Sequence, residues 1–85
     1  MKWYLYIVEC KDGSLYTGIT TNTQRRVWEH NTNDKLGSKS LRGKRPVKMV
    51  YSEEYDTQSD ARQRETSIKT WTRKYKLKLI NSQLK

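Results

Sequence analysis

The stretch "YLYIVECKDGSLYTGIT", residues 4–20, decides how this chain folds. Its first half is rich in β-branched and aromatic residues and predicts a strand over Trp3–Cys10. Lys11-Asp12-Gly13 predicts a hairpin turn, with Ser14–Ile19 as the returning strand. A two-residue Asp12-Gly13 turn would put Tyr6 and Tyr16 on opposite faces of the hairpin. A three-residue loop with Gly13 in the left-handed bulge position instead sets Tyr6 opposite Gly18 and Val8 opposite Tyr16. That register gathers Tyr4, Tyr6, Val8, Tyr16 and Gly18 on one face. Trp3, Leu5, Ile7, Leu15, Thr17 and Ile19 take the other. One face is then nearly all apolar and the other is a row of phenols beside a glycine, so the three-residue loop is the expected one.

Downstream, Asn22 or Thr23 is placed to cap a short helix from Thr23 to about Asn31. A basic segment follows over residues 35–48. Pro46, tolerated at the start of a strand, opens a third strand through about Ser52. Thr57 or Ser59 caps a longer helix to about Trp71, and Thr72 caps a last one over Arg73–Asn81. The order β-β-α-β-α-α predicts an α+β fold: a small three-stranded antiparallel sheet packed with three helices. Eighty-five residues make a single domain near the lower limit for unaided folding. Only 33% of residues are hydrophobic and phenylalanine is absent, so three Trp and six Tyr must supply much of the buried area. The lone Cys10 excludes an intramolecular disulfide and a cysteine-based zinc site. No apolar run has membrane-spanning length and none resembles a secretory signal, so the expectation is a cytoplasmic protein without a membrane partner.

Eighteen Lys and Arg against nine Asp and Glu leave a formal charge of +9, which points to a polyanionic partner. Residues 35–48 carry Lys35, Lys39, Arg42, Lys44, Arg45 and Lys48 with no acid among them. Spaced by Gly37, Ser38, Ser40 and Gly43, this segment reads as a nucleic-acid contact, with Lys39, Arg42, Lys44 and Arg45 as its phosphate-binding residues. A second group, Lys69, Arg73, Lys74, Lys76 and Lys78, reads equally well as a solvated helix face. On charge alone, ribosomal and RNA-binding roles stay open.

Three features carry possible chemistry. Ala61, Glu65, Ile68 and Thr72 form one helical stripe, so Glu65 sits on the side that seeks the core. An inward carboxylate must be paired or bound to a metal. Arg62 and Lys69 offer the pairing, and a hard cation such as Mg²⁺, completed by waters and phosphate oxygens, offers the other solution. Arg26 and His30 lie one turn apart and share a face. The arginine can grip a phosphate, and a neutral histidine can accept or pass a proton near neutral pH. Arg25 pairs naturally with Glu29. Val27, Trp28, Trp71 and Tyr75 are expected to pack. Two tyrosines on one hairpin face, with Arg26, His30 and Glu65, can converge on one site.

In these residues the chain resembles the GIY-YIG nuclease superfamily, and most closely its small standalone bacterial members. Tyr4-Leu5-Tyr6 and Tyr16-Thr17-Gly18 stand for the two namesake motifs. The resemblance continues through "RRVWEH", "KRPVKMVYSEE" and "ARQRETSIK". It implies a metal-dependent endonuclease using Mg²⁺ or Mn²⁺, hydrolysing DNA phosphodiester bonds in repair or processing. Carried over, Tyr6 and Tyr16 are the motif tyrosines, Arg26 the helix arginine and Glu65 the metal ligand. His30 falls where related enzymes place a tyrosine or histidine. Excision-repair relatives follow the second motif with a lysine where this chain has Ile19 and Thr20. The general base is therefore open between Tyr6, Tyr16 and His30. Targeting to DNA, including branched DNA, falls to the basic segment or to a protein partner. The rival readings are a non-catalytic nucleic-acid-binding module that keeps the fold, and a structural subunit of a nucleoprotein assembly.

Overall fold

In the computed structural model, which describes residues 1–33 and 35–82, the hairpin forms in the expected register. Strands β1 (Trp3–Glu9) and β2 (Leu15–Thr20) pair antiparallel, with Tyr6 opposite Gly18 and Val8 opposite Tyr16. Gly13 has φ +86°, the left-handed conformation that the three-residue loop requires. The Asp12 carboxylate secures the turn by accepting from Ser14 N–H (3.0 Å) and Ser14 Oγ (2.7 Å). Helix α1 (Thr23–Thr32), strand β3 (Lys48–Tyr55), and helices α2 (Gln58–Lys69) and α3 (Arg73–Ser82) follow. The architecture is α+β, with one antiparallel sheet in the order β2-β1-β3.

The caps resolve to Asn22, which accepts from Arg25 N–H at 3.0 Å, and Thr57, which accepts from Asp60 N–H at 3.1 Å. Several boundaries differ from expectation. β3 starts at Lys48 rather than Pro46 and runs past Ser52 to Tyr55, because it pairs with β1 along its whole length. Its register slips between Ile7 and Val8, where Val50 is the extra residue of a bulge. α2 stops at Lys69 instead of Trp71, where the Thr70 N–H turns back to Ser67 and Ile68. The basic segment is not plain loop. Lys39–Lys44 forms a 3-10 helix that drops Leu41 into the interior. Asn31 holds the following residues to α1, with Val47 N–H donating to its Oδ1 (2.7 Å) and its Nδ2 donating to Val47 O (3.0 Å).

Both sheet faces are covered. Leu5 and Ile7 pack with Tyr51, Ile68 and Ile80 beneath α2 and α3. Tyr6 and Val8 pack with Cys10, Leu41 and Val47 beneath α1 and the 3-10 helix. The phenol face is thus partly a second core: Tyr6 and Val8 are buried in it, while Tyr4 and Tyr16 are half-buried. Trp28, expected to pack, is 58% exposed, while its neighbour Val27 takes the inward position. Beside the first core, Glu53 takes a bidentate pair from Arg64 (3.0 and 3.1 Å) and the hydroxyls of Tyr51 and Tyr55. Burial works to raise the Glu53 pKa, but these donors win and hold it below the ordinary carboxylate value.

Within the sheet, Gly18 lies tight against Tyr6. A Cβ there would stand 2.6 Å from Tyr6 Oη and 2.8 Å from Tyr6 Cζ. The ring lies across the glycine and cannot be held there beside any larger residue. Gly18→Ala is therefore expected to lower stability by about 1–3 kcal/mol, the usual cost of overpacking. At about 4–8 °C per kcal/mol for a domain of this size, thermal unfolding will resolve it. An unchanged Tm would show that Tyr6 can leave the position freely.

Candidate active site

Helix α1 crosses the phenol face and delivers His30 to the Tyr6 hydroxyl, with Nε2 and Oη 2.8 Å apart. The Ser38 backbone N–H points at His30 Nδ1 from 3.2 Å. A backbone N–H only donates, so Nδ1 is the acceptor and the imidazole proton is assigned to Nε2. Nε2–H therefore donates to Tyr6 Oη. Tyr16 closes the group: its ring stands edge-on to His30 at 5.5 Å and 6.5 Å from the Tyr6 ring. Gly37 permits this arrangement. A Cβ on it would sit 2.7 Å from Glu29 O and 2.8 Å from Asn33 O, so only glycine lets the chain fold back on the end of α1 and aim Ser38 at the imidazole.

His30 is fully buried. Burial first, and the charge of Arg26 next, push its pKa down to about 4, against the weaker opposing pull of Glu29. Both effects favour the neutral ring and move its titration below the near-neutral range in which the sequence reading placed its proton exchange. Tyr6 is 1% exposed, and burial drives its phenol up to about 12 although Arg26 pulls the other way.

Arg26 lies beside this pair. Its guanidinium donates to Glu29 (2.9 Å) and to Leu36 O (2.5 Å). Glu29 also meets Arg25 at 3.6 Å, so the pairing expected from the sequence exists but is the longer of the two. Glu29 and the Leu36 carbonyl, which fix the direction of Arg26, had no signal in the sequence beyond an i, i+3 spacing.

Glu65 lies on α2, and its charge makes the smallest of the contributions that act on the Tyr6 phenol. Its side chain is 13% exposed and is paired with Lys69 (3.2 Å) and Arg62 (3.9 Å). Among the described residues no group of three or more His, Cys, Asp and Glu converges. A cation held by Glu65 alone would therefore have to be a small hard one that keeps waters and takes substrate phosphate oxygens as its other ligands.

The basic segment divides. Lys39 and Arg42 are exposed. Lys44 turns to the hairpin, donating to Ser14 Oγ (3.3 Å) with Asp12 at 3.9 Å, and Arg45 Nε donates to His30 O at 2.5 Å.

A family model for the GIY-YIG catalytic domain matches residues 2–79. The chain belongs to the GIY-YIG family. A UPF0213 protein of Staphylococcus saprophyticus is 50% identical over 80 residues, covering 94% of this chain and 95% of the relative. One from Haloquadratum walsbyi is 53% identical, covering 89% and 83%. Two solution NMR structures share the fold. The UPF0213 protein BH0048 of Bacillus halodurans has 37% identity and a TM-score of 0.60 over 95% of this chain and 84% of its own. The protein EF2693 of E. faecalis has 39% identity and a TM-score of 0.65 over 96% and 85%. The GIY-YIG domain is of nuclease type, and its nucleases typically use divalent metal ions. Among the described residues no helix is long and apolar enough to cross a membrane.

The depressed histidine has a measurable consequence. The unfolded chain binds a proton at His30 near the ordinary value of 6.5, while the folded chain resists until about pH 4. In that window the unfolded state holds more protons, so stability falls as pH drops from 6.5 to 4. His30 is the only histidine, and one imidazole titration by NMR should give a midpoint near 4. A midpoint above 6 would mean the ring is solvated.

Proposed function

We propose that this GIY-YIG protein is a divalent-metal-dependent endonuclease that hydrolyses DNA phosphodiester bonds, in repair or processing. The observation that carries the reading is the Tyr6 hydroxyl held by His30 Nε2–H, with Tyr16 and Arg26 around it and Glu65 within electrostatic reach. The geometry supports a division of roles. His30 has both nitrogens engaged and no exposure, so it is a positioning residue for Tyr6. Tyr16 is only half-buried and is the phenol open to a water. It would accept a hydrogen bond from that water and align it for in-line attack on phosphorus. Arg26, aimed by Glu29, would meet the charge that grows on the phosphoryl oxygens. Glu65 would hold the divalent cation, which when bound stabilises the leaving 3′ oxygen. The rival reading, a nucleic-acid-binding module without turnover, draws on the Lys69 ammonium, which takes the carboxylate oxygen that a cation would need.

Glu65→Gln separates the two. Its ion pairs involve a half-exposed lysine and arginine, so their loss costs at most about 1 kcal/mol and the fold persists. Plasmid nicking in Mg²⁺ or Mn²⁺ should fall about a thousandfold, several kcal/mol of transition-state stabilisation, while DNA binding survives. Equal nicking by both proteins would remove Glu65 from the mechanism. Absence of nicking by the wild type on plasmid and branched DNA would favour the binding module.

Within the basic segment, Lys39, Arg42, Lys44 and Arg45 are proposed as phosphate contacts. Lys39 and Arg42 are the more exposed of the four and should dominate. Lys39→Ala with Arg42→Ala should weaken binding to all duplex sequences alike and reduce the salt slope by up to about 0.9 per lost contact. An unchanged slope would reduce these residues to solvated charge.

A further inference from the structure

The C-terminal helix carries a feature that the nuclease site does not use. Trp71, Tyr75, Lys78, Leu79 and Ser82 line an open groove of about 560 Å³ along α3. That volume falls within the roughly 300–1,000 Å³ of ligand-binding clefts. Tyr75 is 57% exposed, although the sequence led us to expect it packed. Each ring has a cation against it: the Arg64 guanidinium carbon lies 5.1 Å from the Trp71 centroid, and Lys78 Nζ 5.5 Å from that of Tyr75. Over its length α3 presents Arg73, Lys74, Lys76 and Lys78 and no acid. Among the described residues Lys74, Lys76 and Lys78 make no ion pair.

We propose that this groove binds an unpaired DNA strand, with bases stacked on Tyr75 and Trp71 and phosphates neutralised by Lys74 and Lys78. The inference rests on the reading of DNA as the substrate and specifies which form of it the protein holds. Charge selects the occupant. A second copy of this chain would bring lysine against lysine, whereas a phosphate backbone complements the surface. Ring geometry selects the strandedness. A duplex offers only base edges and backbone to an approaching ring, while an unpaired strand offers the π-face of every base, and stacking of this kind tolerates any sequence. The groove is also tied to the nuclease site through α2. Arg64, which lies over Trp71, is the chain neighbour of Glu65.

The test is fluorescence anisotropy with labelled oligo(dT) and a duplex of equal length, in EDTA so that cleavage does not enter. Tyr75→Ala should weaken oligo(dT) binding about tenfold, in line with the loss of one base–aromatic stack, and leave duplex binding unchanged. Tyr75→Trp should restore it, and Lys78→Glu should weaken it. Because Tyr75 is exposed, circular dichroism should match that of wild type for every variant. Equal oligo(dT) affinity for wild type and Tyr75→Ala would overturn the proposal, as would equal losses on oligo(dT) and duplex. Concentration-dependent dimerisation abolished by Tyr75→Ala would assign the groove to a second copy and overturn it too. A wild type that never nicks DNA yet shows the Tyr75 effect would defeat the nuclease reading and leave this one standing.

Discussion

The hydrogen bond from His30 Nε2–H to Tyr6 Oη is the constraint on which the rest of the site depends. It joins the central strand to α1 through two groups that have almost no contact with water. A buried donor or acceptor left without its partner costs about 1–3 kcal/mol, so neither group can be given up cheaply. The bond also dictates protonation. A charged imidazole would carry a proton on Nδ1 as well, and that atom already faces the Ser38 N–H. Two donors would then point at each other in a dry interior. Geometry and burial therefore push in the same direction, toward a neutral ring.

This network is expensive to assemble, and much of the local sequence serves it. Gly18 makes room for the Tyr6 ring, and Gly37 lets the backbone turn close enough to bring Ser38 to Nδ1. Leu36 O, one residue before Gly37, receives Arg26, so one short segment orients both the histidine and the arginine. Such a scaffold fixes side-chain directions before any ligand arrives, the condition under which dipoles and charges stabilise a developing transition state most effectively. The cost is that the groups best held are least accessible. Tyr6 and His30 are locked, while Tyr16 and Glu65 stand nearer to solvent.

The sequence made the skeleton legible where local chemistry is strict. An Asp-Gly turn flanked by alternating residues has few solutions, and face sorting picked the one observed, with Gly13 at positive φ and Tyr6 over Gly18. Caps at Asn22 and Thr57 follow from hydrogen bonds within one turn. The unread parts depend on contacts distant in sequence. The burial of Leu41 that organises the 3-10 helix arises from packing with Tyr6, Val8 and Val47. The bulge at Val50 exists only relative to β1. That His30 and Arg26 share the helix face turned to Tyr6 was inferable from their i, i+4 spacing. The preference of His30 for the neutral form was not, because it comes from burial, the charge of Arg26 and the Ser38 N–H held against Nδ1. Trp28 and Tyr75 show the converse: hydrophobic character alone does not say which aromatic faces water.

The excess of basic residues resolves into two populations once their partners are visible. Several arginines are structural. Arg26, Arg45 and Arg73 each donate to a backbone carbonyl, of Leu36, His30 and Gly13, and Arg64 grips Glu53 bidentately. A planar guanidinium with several fixed donors suits such directed contacts and is weakly hydrated enough to sit half-buried. Many lysines do the opposite. Lys39, Lys74 and Lys78 hold their ammonium groups in solvent, where a compact, strongly hydrated charge contributes little to the fold. Two of them flank an exposed aromatic ring on α3. The net charge of +9 is therefore a poor guide to where a polyanion would land, because it counts clamps and contacts alike. Sorting the cations by whether the fold already uses their hydrogen bonds leaves mainly lysines for the ligand. Lysines acting as mobile point charges favour a phosphate backbone over any base edge, so contacts of this kind add affinity without sequence choice.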